Sequence, residues 1–524
     1  MTRHPGGGRR GSARWGHWRS RLWLGSSVSV RWDGHVQPAS CRRPAGVTPL
    51  GGLRRAVLVA AASCVALSGC ADVVQGRAVS PIYDPATAGG LPINNVPSGP
   101  RANAPALTLT VHGTDMGPID KLAALSVEDI EDYWRVNFPR TLSGKYEPVT
   151  DLYSYDSHNP ASPTICDNDT YGLTNAFFCD DDWLIAWDRG AFLPVVQKYF
   201  GDAAVTGVLS HEYGHAIQSM AHLVKKSRTV LVAEQQADCF AGDYLRWVAE
   251  GKSPRFTLDT GDGLNKVLAG VITSRDPASV KANDSRGHGT ALDRVAAFQA
   301  GFTSGATACA AITMESIQAR RDNLPEALQL AASARRADRP ITETSVRQLI
   351  DELAKILSPK TTPTLSMQPA QCAGTESTTP VSYCPASNTV FVDLPGLQKL
   401  GEPGDERHDY VLLQGTNTAI SALISRYALA VQHERGLPMS STATALRTAC
   451  LTGIAERQLG QSGDAATSLT SRDIDQAVAG LLGNGLAASD ADGTTVPAGF
   501  NRIAAFRAGL TTGSIERCYA DFRA

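Results

Sequence analysis

Ser210-His211-Glu212-Tyr213-Gly214-His215-Ala216 is the stretch on which the reading of this chain turns. In a helix, His211 and His215 lie four residues apart on one face, so both imidazoles can reach a single metal ion. Glu212, beside the first histidine, is then placed to take a proton from an attacking water. The flanks favour a helix: Val205 to Ser219 contains no proline and carries apolar residues at Val208, Leu209 and Ile217. A metal-free alternative would bury two histidines and a glutamate without an evident partner, which is costly.

A catalytic zinc takes three protein ligands and keeps a fourth position open. The segment Ala233-Glu234-Gln235-Gln236-Ala237-Asp238-Cys239 supplies what is missing. Glu234 and Asp238 share a helix face; Glu234 is expected as the third ligand. Asp238 is expected to accept a hydrogen bond from the outer nitrogen of a ligating histidine, fixing its tautomer. His288, between Gly287 and Gly289, is the candidate for stabilising an oxyanion opposite the metal. The expectation is one Zn2+ per chain.

An altered version of the motif follows about two hundred residues later, as Ser425-Arg426-Tyr427-Ala428-Leu429. Landmarks around the two recur in one order: Ser126 and Ser345, Cys166 and Cys372, Cys179 and Cys384, Cys239 and Cys450, Arg294 and Arg502, Cys309 and Cys518. A duplicated domain is the economical explanation. Every candidate site residue differs in the second version: His211, Glu212, His215, Glu234, Asp238 and His288 answer to Ser425, Arg426, Leu429, Ala445, Ala449 and Val496. Tyr213/Tyr427, Gln218/Gln432, Gly242/Gly453 and Arg294/Arg502 persist, and are read as scaffold. The second version is therefore expected to fold without metal and without activity.

His-Glu-Tyr-Gly-His followed by Glu-x-x-Ala-Asp-Cys-x-Ala-Gly resembles the bacterial neutral zinc metallopeptidase family, a gluzincin-type group. A cysteine-bearing strand from Cys179 to Asp188, His288-Gly289 ahead of Arg294-Val295 and Phe298, and Tyr383-Cys384-Pro385 in the second half add to the resemblance. It spans roughly residues 166–309, and departs from the family at Asp180-Asp181, where a proline would follow the cysteine. The resemblance implies an α+β, zincin-like fold, mainly helical with a small edge sheet, here duplicated in tandem. It also implies His211, His215 and Glu234 as ligands, Glu212 as base, and a peptide or protein substrate.

An aminopeptidase is an alternative, since 18 residues separate His215 from Glu234, a spacing that gluzincin aminopeptidases share. No Gly-x-Met-Glu-Asn segment is present, however, and Ala233 precedes Glu234 where that group prefers asparagine. A non-enzymatic envelope-binding protein is a third reading; it gives Glu212 nothing to do. The strand ending at Asp188 is expected to form the cleft edge that takes an extended peptide by strand addition.

Composition restricts the setting. Hydrophobic residues make up 43%, aromatic residues 6%, and the formal net charge is −2, which disfavours disorder and nucleic-acid binding. Residues 1–46, rich in Arg, Gly and Trp, read as a non-native or disordered leader. Residues 47–70 read as a lipoprotein signal peptide: Arg54-Arg55, an apolar run, and Leu67-Ser68-Gly69-Cys70. This resembles a bacterial lipobox and implies lipid attachment at Cys70, hence a membrane-anchored protein facing away from the cytoplasm, with its substrate in the cell envelope. Residues 71–105 read as a Pro/Gly-rich tether, 106–318 as the metallopeptidase domain, 319–339 as a join and 340–524 as the degenerate domain. Eight cysteines remain beyond Cys70, an even number that suits disulfides in an exported chain. Their order suggests Cys166–Cys179, Cys239–Cys309, Cys372–Cys384 and Cys450–Cys518, although sequence leaves connectivity open.

Overall fold

The computed structural model describes residues 84–223, 229–273, 287–329, 339–368, 372–403, 414–463 and 467–523. Cys70, the signal-peptide segment and the leader lie outside them. The fold is α+β and mainly helical, with small open sheets, as in a zincin-like domain.

In the first half, strand β1 (Val111–His112) precedes the long helix α1 (Pro118–Thr141), which opens with Pro118 at its first position, where the missing N–H costs nothing. Strands β2 (Asp151–Tyr155), β3 (Ala176–Cys179) and β4 (Leu184–Asp188) complete a sheet in the order β1-β2-β4-β3. Helices α2 (Phe192–Phe200), α3 (Asp202–Met220), α4 (Val230–Ala249), α5 (Asp262–Thr273), α6 (Ala291–Ala310) and α7 (Met314–Arg321) follow.

The expected cleft edge is corrected. Strand β4 is internal, parallel to β2 on one side and antiparallel to β3 on the other, and all five of its residues are buried. Its unbroken apolar run is what a strand enclosed on both faces requires. The edge is β3. Asp188 is also enclosed: its carboxylate accepts from the backbone N–H groups of Gly190, Ala191 and Phe192 and from Ser157, fixing the entry into α2.

The second half runs through α8 (Glu343–Leu357), β5 (Thr364–Ser366), β6 (Val381–Cys384), β7 (Thr389–Val392), α9 (Leu394–Leu400), α10 (Thr416–His433), α11 (Thr442–Gln461), α12 (Ser471–Gly483), α13 (Gly499–Thr512) and α14 (Ile515–Asp521). Its sheet order is β5-β7-β6. Among the described residues four disulfides are present: Cys166–Cys179, Cys239–Cys309, Cys372–Cys384 and Cys450–Cys518. The second ties α4 to α6, and the fourth ties α11 to α14.

Close helix packing recurs in the two halves. A Cβ on Gly301 of α6 would lie 1.7 Å from the Cys239 carbonyl of α4. A Cβ on Gly509 of α13 would lie 1.9 Å from the Cys450 carbonyl of α11. Only glycine permits backbones to approach so closely.

Both halves belong to one compact unit, and the described part of the expected tether is folded onto it. Gly99–Pro100 pairs with Phe256–Thr257, Arg101 donates to the Ser253 and Gly251 carbonyls, and Asn501 of α13 donates to the Asp84 and Thr87 carbonyls. A Pro/Gly-rich stretch without periodicity reads as a linker, but here its backbone groups find partners on the body of the protein. Among the described residues no helix is long and apolar enough to cross a membrane.

The second half buries a carboxylate that chemistry in the first half does not need. Glu456 of α11 is fully buried and accepts from Ser421 and Asn417 of α10; burial pushes its pKa up to about 8. The unfolded chain ionises near pH 4.5 while the folded chain keeps the proton to about pH 8, so this group removes stability as pH rises between those values. Glu456→Gln keeps a neutral side chain, and the Ser421 hydroxyl, which also lies 2.7 Å from the Asn417 carbonyl, can turn to accept from it. Thermal melts at both pH values should show Glu456→Gln more stable by about 2 kcal/mol at pH 8 and within about 0.5 kcal/mol of wild type at pH 4.5.

Candidate metal centre

The motif forms the middle of α3, and Glu234 and Asp238 lie on the facing surface of α4. Gly214 lets the helices meet: a Cβ there would lie 2.8 Å from Ala237 Cα and 3.0 Å from its carbonyl. That contact, between the two histidines and the two carboxylates in sequence, brings them together. His211 Nε2 lies 3.2 Å from Glu234 Oε2, and His215 Nε2 lies 3.7 Å from Glu234 Oε1. The two imidazole rings stand edge to face, 5.0 Å between centroids. One donor atom from each of His211, His215 and Glu234 lies within 4.8 Å of the others.

The outer nitrogens are held. His211 Nδ1 lies 2.8 Å from Asp238 Oδ1, and His215 Nδ1 lies 3.1 Å from Gln218 Oε1, while Gln218 Nε2 donates to the Ala233 carbonyl. Each acceptor holds a proton on Nδ1, so that Nε2 is the nitrogen that faces Glu234 and would be open to a metal once its own proton is displaced. Two imidazoles and one carboxylate, oriented in this way, are a donor set that suits zinc. The other close group of potential donors among the described residues is Cys166, Cys179 and Asp182, whose cysteines are joined in a disulfide.

The electrostatics favour a cation at this point. Burial acts against a charged His211 ring, but the carboxylates of Asp238 and Glu234 outweigh it and hold its pKa at about 10. Burial likewise acts against ionised Glu234, yet its bond to His211 and the charges of His215, His211 and His288 hold it far below the usual carboxylate range. A metal ion would take the place of the proton held between these groups.

Glu212 is displaced from its ordinary range in the opposite direction. Burial pushes it up, against the pull of His211 and His215. Its Oε2 accepts from the backbone N–H of Phe178 at 3.2 Å, which places the carboxylate between the triad and the edge strand β3. His288 stands at the rim, 47% exposed, with Nε2 3.8 Å from Glu234 Oε2.

Two supports escaped sequence reasoning. Arg294, on α6, donates from Nε and Nη2 to both oxygens of Asp238 at 2.8 and 2.7 Å; burial acts against ionised Asp238, but Arg294 and His211 hold its carboxyl below the usual range. Tyr213, read as packing, also donates to Glu131 at 2.6 Å and lies 3.0 Å from the Tyr146 hydroxyl, which pins α3 to α1. Retention of Arg502 and Tyr427 in the second half made both positions look like plain scaffold.

At the corresponding place in the second half, Arg426 is fully buried. Its guanidinium donates to the Leu486 and Asp490 carbonyls and to Ser489. Ser425, Leu429, Ala445 and Ala449 are buried around it, and none of them offers a ligand set.

Residues 111–312 match the family model described as "Putative neutral zinc metallopeptidase", so this half is similar to zinc peptidases over the region that holds the triad. No curated protein and no solved structure matches the chain.

Asp238 is buried between two cationic partners, so its loss should act on metal and on stability separately. Asp238→Ala should weaken zinc affinity about 10- to 100-fold in chelator competition. Arg294→Met, which leaves the carboxylate buried and half-matched, should cost about 3–5 kcal/mol in denaturant unfolding.

Proposed function

We propose that this protein is a zinc endopeptidase of the cell envelope, in which His211, His215 and Glu234 hold one Zn2+ and Glu212 is the general base. The observation that carries this reading is the convergence of the His211 and His215 Nε2 atoms on the Glu234 carboxylate, with Glu212 between them and the edge strand β3. Zinc held there would supply a Lewis acid for the scissile carbonyl and an attacking water with its pKa lowered to about 7.

The remaining work belongs to the chain. An extended peptide can add to β3 by backbone hydrogen bonds, which lays its scissile carbonyl beside Glu212. The raised pKa of Glu212 suits a group that must take a proton from water and deliver it to the leaving amine. His288, at the open side of the triad, is the group that would meet the oxyanion. A binding protein without chemistry would have no use for a half-buried carboxylate in that position.

The second half is a degenerate repeat of the first in this reading. Support comes from the common order of landmarks, from disulfides that span 13 and 12 residues in one pair and 70 and 68 in the other, and from the matched glycine contacts. With Arg426 filling the cleft, it contributes no metal. The resemblance of Leu67-Ser68-Gly69-Cys70 to a lipobox supports a lipid anchor at Cys70 and a place on the outer face of the cytoplasmic membrane, with two or more acyl chains needed for stable attachment.

Glu212→Gln should retain one zinc per chain by atomic absorption yet lose peptide hydrolysis by a factor of about 100 or more; His211→Ala should lose the zinc. Normal turnover in Glu212→Gln, or two zinc ions per chain, would falsify the assignment. In the membrane fraction, Cys70→Ala should release the protein or block its maturation, and mass spectrometry of the mature N-terminus should find a lipidated Cys70.

A further inference from the structure

The two halves exchange side chains at the start of matching helices. The first four N–H groups of a helix have no partner within it, and a buried one left unmatched costs about 1–3 kcal/mol. At the start of α6, Thr290 and Asp293 form a capping box, and Asp293 is in turn held by Arg321 at 2.7 Å. The N–H of Ala291, the first residue of α6, is matched from the other half: it donates to Asp475 Oδ1 of α12 at 2.9 Å. The reverse exchange occurs at α13, where the N–H of its first residue, Gly499, donates to Asn265 Oδ1 of α5 at 2.6 Å. Asn265 also donates to the Pro497 carbonyl at 3.1 Å. Ala291 and Gly499 are 208 residues apart, as are Arg294 and Arg502.

The exchange is reciprocal in place and unequal in chemistry. The half without a triad supplies a carboxylate, and the half with the triad supplies an amide. A negative charge at a helix N-terminus is favourable beyond the hydrogen bond itself, so α6 receives the stronger hold. One turn into α6 lies Arg294, which grips both oxygens of Asp238, and Asp238 holds His211 Nδ1. Directly before the cap stand His288 and Gly289. Gly289 has φ +101°, and a Cβ there would lie 3.1 Å from Leu231. The start of α6 therefore sets both Arg294 and the turn that carries His288.

We propose that Asp475, from the half that lacks the triad, is a positioning residue for the metal centre. By capping α6 it fixes Arg294 on Asp238 and so holds His211 in register with His215 and Glu234. The inference rests on the zinc peptidase reading and gives the second half a defined part in it.

The full-length protein carries its own control, because Asn265 makes the matching cap on the helix that serves no metal. In zinc release to a chelator, Asp475→Ala should lose metal about tenfold faster than wild type, and kcat should fall with KM within about twofold. Asp475→Asn keeps an oxygen that can accept the Ala291 N–H and should restore both to near wild type. Asn265→Ala should lower the melting temperature to a similar extent as Asp475→Ala while zinc release and kcat stay within about twofold of wild type. If Asp475→Ala does not fold, Asp475→Ser, which keeps a hydroxyl acceptor with shorter reach, is judged by the same comparison. Equal effects of Asp475→Ala and Asn265→Ala on zinc release and kcat, or no effect of Asp475→Ala on either, would overturn the proposal. A wild type that takes up no zinc would overturn the peptidase reading itself; zinc that His211→Ala removes and Asp475→Ala leaves untouched would overturn the positioning role alone.

Discussion

A carboxylate taken fully out of water must be matched on every side, and Asp238 is matched by two helices at once. Arg294 reaches it from α6 with two parallel hydrogen bonds, and His211 reaches it from α3. Breaking either side would leave a buried charge without compensation. Three helices are thereby committed to one arrangement before any metal arrives. The Cys239–Cys309 disulfide and the glycine contact at Gly301 set the spacing of α4 and α6 that lets a guanidinium span the gap. Gly214 sets the spacing of α4 and α3.

The second half buries the guanidinium groups of Arg426 and Arg502 without such a carboxylate. Ala449 stands where Asp238 would be, and Arg502 turns to backbone carbonyls instead, donating to those of Leu481, Val496 and Pro497. Arg426 does likewise with the Leu486–Asp490 segment. Burial pushes both guanidinium pKa values down to about 10, still well above neutrality, so each remains charged and is matched by neutral acceptors. A guanidinium, with five donors in a rigid fork, can hold a loop in place by carbonyls alone. In the second half hydrogen bonds from Arg426 fill the place where the first half gathers its donor atoms.

Much of the site was legible in the sequence because its parts are local. Helical spacing places His211 beside His215 and Glu234 beside Asp238, and the structure brings these two pairs together. What sequence hid was pairing over distance. Arg294 joins Asp238 across 56 residues and Phe178 joins Glu212 across 34, the latter through a backbone group that any residue would supply. Comparison of the two halves misled at Arg294 for a physical reason: a retained residue can keep its identity and change its partners. The sheet was legible as strands but not as an order. The run Leu184–Asp188 was legible as a strand but was placed at an edge, whereas it is flanked on both sides, and Asp151–Tyr155 beside it carries no pattern that fixes its neighbours. The Pro/Gly-rich segment from residue 84 was misread because irregular backbone can be satisfied by a folded surface as well as by water.

The exchange of caps between Asn265 and Asp475 has a consequence for how such a chain can change. A half without a donor triad would ordinarily be limited in its substitutions by its own folding alone. Here its residues end a helix of the other half, and a residue of the other half ends one of its own. Sequence drift in either half is therefore felt in both, and any constraint on the His211–His215–Glu234 group also reaches the half that has no counterpart of it.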